Sequence, residues 1–231
     1  GVGGMQLYRA ESPGVTKNEK MTPRIADTVR SLWLVYLALT VACALAFWVA
    51  GMSLFDAIGH AYAAVGTGGF STHDASFGYW DSPLIDGIGI FFMLAGGINF
   101  AIHYLALQRR SLWPFIRDAE VRAYGLIFLG GTLIVAITLY LAGTYAEPGA
   151  ALRHGAFQVA SILTSTGFTT AVFADWPLYL PLVLVTLSFI GGCAGSTAGG
   201  IKVVRVQLLA KLGQRQLFQL AHPQAVTTIK L

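Results

Sequence analysis

Gly68-Gly69-Phe70-Ser71-Thr72 is copied almost position for position at Thr166-Gly167-Phe168-Thr169-Thr170, and each copy lies between a short apolar segment and a long one. The chain therefore reads as an internal repeat built around a Gly-Phe-hydroxyl loop. Backbone without helical hydrogen bonds survives at membrane depth only where it is buried in protein or lines an aqueous path. The two loops are accordingly expected to line a path for a dehydrated cation.

Working outward, the flanking segments set the architecture. Residues 31–51 carry no charged side chain and, at about 1.5 Å per residue, are long enough to cross a hydrocarbon core of about 30 Å. Residues 55–65 are apolar but too few to span, so they read as a re-entrant helix, and residues 84–107 as a second span. The order then repeats: a span at 121–144, a short helix at 152–163, the loop at 165–170, and a long apolar run from 176. Superposing the loops pairs Gly69 with Gly167, Phe70 with Phe168 and Thr72 with Thr170, and Gly96-Gly97 approximately with Gly191-Gly192. The predicted fold is an all-α membrane protein of tandem helix–pore loop–helix repeats, pseudo-symmetric about the membrane normal. The expected divisions are a lead-in at 1–30, repeats at 31–110 and 111–213, and a basic tail at 214–231.

Composition agrees with that class. Hydrophobic residues make up 55% of the chain and charged ones 11%, with mean hydropathy +0.63 and 27 glycines, which is far from a soluble domain. Cys43 and Cys193 sit inside apolar segments with no partner spacing, so neither a disulfide nor a metal site is expected and both read as small buried hydrophobes. The net charge of +4 comes without a run of Lys or Arg interleaved with aromatics, so no nucleic-acid partner is expected. The start at Gly1-Val2-Gly3-Gly4, with neither an initiator Met nor a signal-peptide pattern, reads as a piece of a longer chain.

Placement of charge orients the spans. Lys17, Lys20, Arg24 and Arg30 precede the first, Arg109, Arg110, Arg117 and Arg122 lie between the repeats, and Lys202, Arg205, Lys211 and Arg215 follow the last. The positive-inside rule puts all three groups in the cytoplasm. Asp56, Asp74, Asp81, Asp86, Glu147 and Asp175 then lie on the other side against a single Arg153, an expected acidic mouth above outward-opening loops.

A cation crossing a bilayer must exchange its water for oxygens of similar number and field, which a row of backbone carbonyls supplies without burying formal charge. Glycine permits the positive φ that turns adjacent carbonyls to one axis. The short helices ending at Val65 and Leu163 would direct their partial negative ends to the same place, and Phe70 and Phe168 would pack outward and brace the loops. The last apolar run has a further signal. From Trp176 to Lys211 is 36 residues, about 54 Å if fully helical, and its middle holds Gly191, Gly192, Gly195, Gly199 and Gly200, so that helix is expected to break within the membrane.

Gly-Gly-Phe-Ser-Thr-His-Asp at 68–74, Ser-Thr-Gly-Phe-Thr-Thr at 165–170 and Gly-Gly-Cys-Ala-Gly-Ser-Thr-Ala-Gly-Gly-Ile-Lys-Val at 191–203 closely resemble the Trk/Ktr/HKT superfamily of potassium transporters, in particular the bacterial TrkH/TrkG type. The resemblance implies four fused helix–pore loop–helix repeats around one pore, of which this chain carries the second and third. It implies potassium as the transported ion, with filter carbonyls from Thr67, Gly68 and Gly69 in one loop and Ser165, Thr166 and Gly167 in the other. It also implies an intramembrane gate at Gly195, Ser196, Thr197, Gly199 and Gly200, a homodimer in the bacterial inner membrane, and a cytoplasmic nucleotide-binding regulatory subunit of TrkA type.

Other readings compete at particular residues. Gly96-Gly97 reads first as a packing notch, His60, Asn99 and His103 as hydrogen-bonding partners between helices, His73 and Asp74 as loop caps, and Lys202 as a snorkelling anchor. A sodium path in the same fold is the nearest alternative function. An intramembrane serine protease built on Ser196 with His60 or His103 as base is a more distant one, since Ala194-Gly195-Ser196 lacks the usual Gly-x-Ser.

Overall fold

The computed structural model describes residues 25–177 and 179–221, and among these the regular structure is helical, without strands. Lys17, Lys20 and Arg24 of the expected basic lead-in, and the end of the expected tail from His222, lie outside the described residues. Helix α1 (Ile25–Val49) is followed by short α2 (Leu54–Val65), a loop, a 3-10 turn at Ser76–Tyr79, then α3 (Pro83–Gly96) and α4 (Phe100–Arg109). A short α5 (Trp113–Arg117) leads to the second set: α6 (Ala119–Leu141), α7 (Pro148–Leu163), a loop with a turn at Phe173–Asp175, α8 (Tyr179–Ile190), and α9 (Val203–Ala221).

Local chemistry starts these helices where the sequence allows. The Ser53 hydroxyl accepts from Asp56 N at 3.1 Å at the head of α2, and Asp118 Oδ1 accepts from Val121 N at 2.9 Å at the head of α6. Ser82 caps α3 with Pro83 in its first turn, where a missing N–H costs nothing. Helices α1 and α6 are each long and apolar enough to cross a membrane, and they expose Trp33, Val41 and Leu45 on α1 and Leu126, Leu133 and Ile137 on α6, side chains suited to lipid rather than water.

The predicted unbroken span over 84–107 is not one helix. Helices α3 and α4 meet at 99° across Gly97, Ile98 and Asn99. Asn99 causes the restart, because its side chain accepts from Ala101 N at 2.9 Å and caps a new helix in place of continuing the old one. The carbonyls of Gly96 and Gly97 are then free to bind another segment, described below. With 12 residues, α8 is also too short to cross alone.

Short helices α2 and α7 occupy the centre. Phe47, Phe77, Met93, Phe157 and Phe168 form the first core between them, and Val135, Leu139, Val159, Leu180 and Leu184 pack α6, α7 and α8 into a second. A third, of Tyr124, Leu163, Cys193 and Val203, lies under the glycine-dense segment. Both cysteines are free thiols with no exposed surface, in keeping with the reading as buried hydrophobes.

Candidate functional site

The ends of α2 and α7 run into their loops by the same set of bonds. Gly68 N donates to Ala63 O at 2.8 Å and Gly69 N to the same oxygen at 3.4 Å; Thr166 N donates to Ser161 O at 2.8 Å and Gly167 N to the same oxygen at 3.4 Å. Thr67 N and Ser165 N likewise donate to Ala64 O and Ile162 O. The first three amides of each loop are thereby consumed by the helix that precedes it. Among the described residues, none of the carbonyls of Thr67, Gly68, Gly69, Ser165, Thr166 and Gly167 accepts a hydrogen bond. The negative end of each helix is in effect passed on to the loop's own oxygens.

Backbone conformation explains how those oxygens can share a side. Thr67 and Gly69 have φ of 51° and 68°, Ser165 and Gly167 have 59° and 92°, and the residues between them are not left-handed. Alternating hand rotates successive peptide planes the same way, whereas a strand would alternate them. The two loops also touch. A Cβ on Gly69 would lie 1.9 Å from Thr166 O and 3.2 Å from the carbonyl carbon of Gly167, so only glycine fits there.

The loops are braced by tertiary contacts of different strength. Phe168 is fully buried, stacked on His60 with centroids 5.5 Å apart and tilted on Phe77 at 4.7 Å, both from the preceding repeat. Phe70, expected to brace its loop in the same way, is 82% exposed. The difference lies in the neighbours: Phe168 meets His60 and Phe77 of the preceding segment, and no ring lies against Phe70 among the described residues. His60 bonds Ser71 Oγ at 2.9 Å and Asp56 O at 2.8 Å, and His154 bonds Thr170 Oγ1 at 3.0 Å, each tying a loop back to its own short helix. His73 stacks on Tyr79 at 3.7 Å and its amide bonds Ser71 Oγ, a turn-capping role. Gln158 is the one fully buried side chain of α7 whose amide oxygen and nitrogen both lack a partner among the described residues.

The expected acidic mouth is smaller than its residue count. Arg153 Nε donates to Asp86 Oδ2 at 2.6 Å and its Nη2 to Asp81 Oδ1 at 2.9 Å, while Asp56 accepts from the hydroxyls of Ser53 and Thr72. Asp86 is 1% exposed and belongs to the packing between α3 and α7. The Arg153→Met substitution is expected to destabilise the fold by about 3 kcal/mol, because it strands a buried carboxylate, while Asp81→Asn, at an exposed partner, changes stability by less than about 1 kcal/mol. Thermal unfolding of the purified full-length protein in detergent measures both.

Residues 191–202 are non-helical and leave and re-enter the end of α8: Ile201 N and Lys202 N donate to Phe189 O and Ile190 O at 2.9 and 3.0 Å. Gly191 and Gly200 cross at the neck, where a Cβ on Gly200 would lie 2.5 Å from the Gly191 Cα. The excursion docks on the α3–α4 break, with Cys193 N on Gly97 O at 2.8 Å, Thr197 N on Gly96 O at 3.3 Å and Phe100 N on Gly195 O at 3.2 Å. Thr197 Oγ1 is shared between Val65 O at 2.8 Å and Gly96 O at 3.0 Å, and the Thr67 hydroxyl reaches Thr197 O at 2.9 Å. Gly199 lies against Ser165, where a Cβ would meet the hydroxyl at 3.0 Å. The segment therefore sits against the first residue of both loops. Gly96 and Gly97 are packing notches, as the sequence suggests, and also docking points.

Lys202 does not snorkel; its ammonium turns back to the carbonyl of Ala198. Ser196 donates to Cys193 O at 2.6 Å, and the rings of His60 and His103 are engaged elsewhere, His103 with Ala95 O at 2.9 Å, so no base is poised at that hydroxyl. Sequence reasoning passed over Glu120, whose carboxylate is buried beneath this segment. The available signal was a second acid two positions after Asp118 at the head of an apolar span, where helix N-terminus stabilisation of an acid offers a sufficient local reason.

Comparison with known proteins follows the same lines. The profile of one family, TrkH, described as a cation transport protein, matches residues 1–231. The chain is 54% identical over its whole length to the Trk system potassium uptake protein TrkH of Escherichia coli K12, and 40% identical to TrkG of the same organism. It spans about half of these relatives, 48% and 47% of their lengths. A crystal structure of the potassium transporter TrkH from Vibrio parahaemolyticus superposes with a TM-score of 0.87, over 94% of this chain and 47% of that one, at 48% identity. By profile, identity and fold alike, the chain belongs to the TrkH family of cation transport proteins.

Proposed function

We propose that this chain forms the second and third repeats, residues 31–110 and 111–213, of a pore that takes up potassium across the bacterial inner membrane. The observation that carries the proposal is the pair of adjoining loops in which the amides of Thr67, Gly68, Gly69, Ser165, Thr166 and Gly167 are consumed by their short helices, while the carbonyls of the same six residues have no donor among the described residues. Uncharged oxygens in a low-dielectric site suit a weakly hydrated monovalent cation. The relatives named for potassium uptake support that choice of ion. Residues 195–200 act as the gate in this reading, because the segment sits against Thr67 and Ser165 at the mouths of both loops. Assembly as a homodimer with a TrkA-type nucleotide-binding subunit rests on family resemblance, with α9 and its Arg205, Lys211 and Arg215 as the docking surface.

The test is uptake by the full-length protein in cells lacking other potassium uptake. Growth at low potassium and rubidium uptake that sodium does not compete with are expected; sodium uptake at an equal rate would replace the potassium reading with the sodium one, and no uptake would end both. Orientation is checked separately. Single cysteines at Asp74 and Glu147 are expected to react with an impermeant reagent from outside, and those at Arg110 and Gln214 only from inside. Same-sided labelling overturns the positive-inside assignment.

A further inference from the structure

Glu120 stands in the first turn of α6 and is 8% exposed, and its side-chain hydrogen bonds go to residues 74 and 84 positions away. One of its oxygens, Oε1, accepts from Ala194 N at 2.8 Å and from Val204 N at 3.0 Å. Those amides lie on opposite sides of the neck of the 191–202 excursion: the first is inside it, the second begins α9. Next to this contact, Gln207 Nε2 donates to Ala119 O at 3.1 Å, so the head of α6 and the head of α9 are joined at two points. On its other side, the excursion is held by carbonyls of α2 and α3, through Val65, Gly96 and Gly97.

From this geometry we infer that Glu120 is a positioning residue that clamps the glycine segment in its blocking position, a role that rests on the gate reading above. The physical reason is asymmetry in the cost of losing it. A buried amide without an acceptor is penalised by its full desolvation, and charge-assisted bonds from a carboxylate are stronger than neutral ones. Removing Glu120 leaves the Ala194 amide, which belongs to the segment, unpaired only while the segment stays docked; a displaced segment exposes that amide to water. The substitution therefore destabilises the blocked state selectively. The other contacts of the segment, Thr197 with Val65 and Gly96, Cys193 with Gly97 and Gly195 with Phe100, are made without Glu120, so Glu120 sets gate position without bonding to either loop.

The experiment measures rubidium flux through the full-length protein in proteoliposomes of anionic and neutral phospholipid. Glu120→Ala is expected to raise flux about tenfold while the rubidium-to-sodium ratio stays within about twofold of the parent. Glu120→Gln keeps an oxygen that can accept both bonds and is expected to restore flux to near the parent value. Should Glu120→Ala fail to fold, Glu120→Asp, one methylene too short to serve both amides, is read in its place with a smaller rise expected. Unchanged or reduced flux in a folded variant overturns the clamp, as does a Gln variant as leaky as the Ala one. Deletion of residues 196–199 separates this from the gate reading. If the deletion itself leaves flux unchanged, the gate reading fails; if the deletion raises flux and Glu120→Ala does not, the clamp alone fails. In the deleted background Glu120→Ala is expected to add nothing, and a further tenfold rise there places its action outside the segment and overturns the clamp.

Discussion

The Gly69→Val substitution is expected to abolish discrimination between potassium and sodium, reducing the ratio of their fluxes by at least about tenfold. Two independent costs act there. Position 69 has φ of 68°, a conformation that penalises a β-branched residue by about 1–3 kcal/mol, and the added Cβ would overlap the carbonyl oxygen of Thr166 at 1.9 Å. Backbone overlap of that size cannot be relieved by rotating a side chain, so one loop must move off the other. Since 1.4 kcal/mol is a factor of ten, a displacement that costs either ion's site even that much is visible in the flux ratio. Gly167→Val carries the φ penalty alone within this chain, because its Cβ would meet nothing within 4 Å among the described residues. Paired rubidium and sodium flux measurements on the two variants test the filter assignment. Selectivity equal to the parent in both would remove it.

Deleting residues 196–199 is expected to have the second large effect, a rise in flux of about tenfold or more with ion preference kept. The ends of the excursion are already bonded to one another, through Ile201 N and Lys202 N on the last carbonyls of α8, so shortening its tip does not require α8 or α9 to move. What is lost is Thr197, which contacts α2, α3 and the Thr67 hydroxyl together, and Gly199 beside Ser165. The loops at 67–69 and 165–167 keep their own bonds to α2 and α7. Unchanged flux through a deletion variant that folds and inserts would return the glycines to a packing role.

Much of this molecule is written in local pattern. The alternation of long and short apolar segments, the duplicated Gly-Phe-hydroxyl loop and the glycine-dense stretch at 191–200 were enough to predict the helix–pore loop–helix repeats and a break in the last helix. Residue chemistry alone accounts for these features. Apolar length sets whether a segment can span, and glycine sets where backbone can leave the helix. Helix α2 ends at Val65 and α7 at Leu163, where the sequence places them, because the loop residues that follow turn their amides back onto those helices.

What only the tertiary structure decided has the opposite character, since each case depends on a partner far along the chain. The apolar run at 84–107 reads as continuous until Cys193 and Thr197 appear as partners for the Gly97 and Gly96 carbonyls, and the local cap at Asn99 then wins over helix continuation. Asp86 counts as a mouth acid until Arg153, 67 positions away, is found beside it. Phe70 and Phe168 are equivalent in sequence, yet one is exposed and the other buried, because burial belongs to the neighbour a repeat packs against and not to the repeat itself. Glu120 is the clearest instance: a carboxylate at a helix start is stable for a purely local reason, and only the folded chain brings the amides of Ala194 and Val204 to the same oxygen.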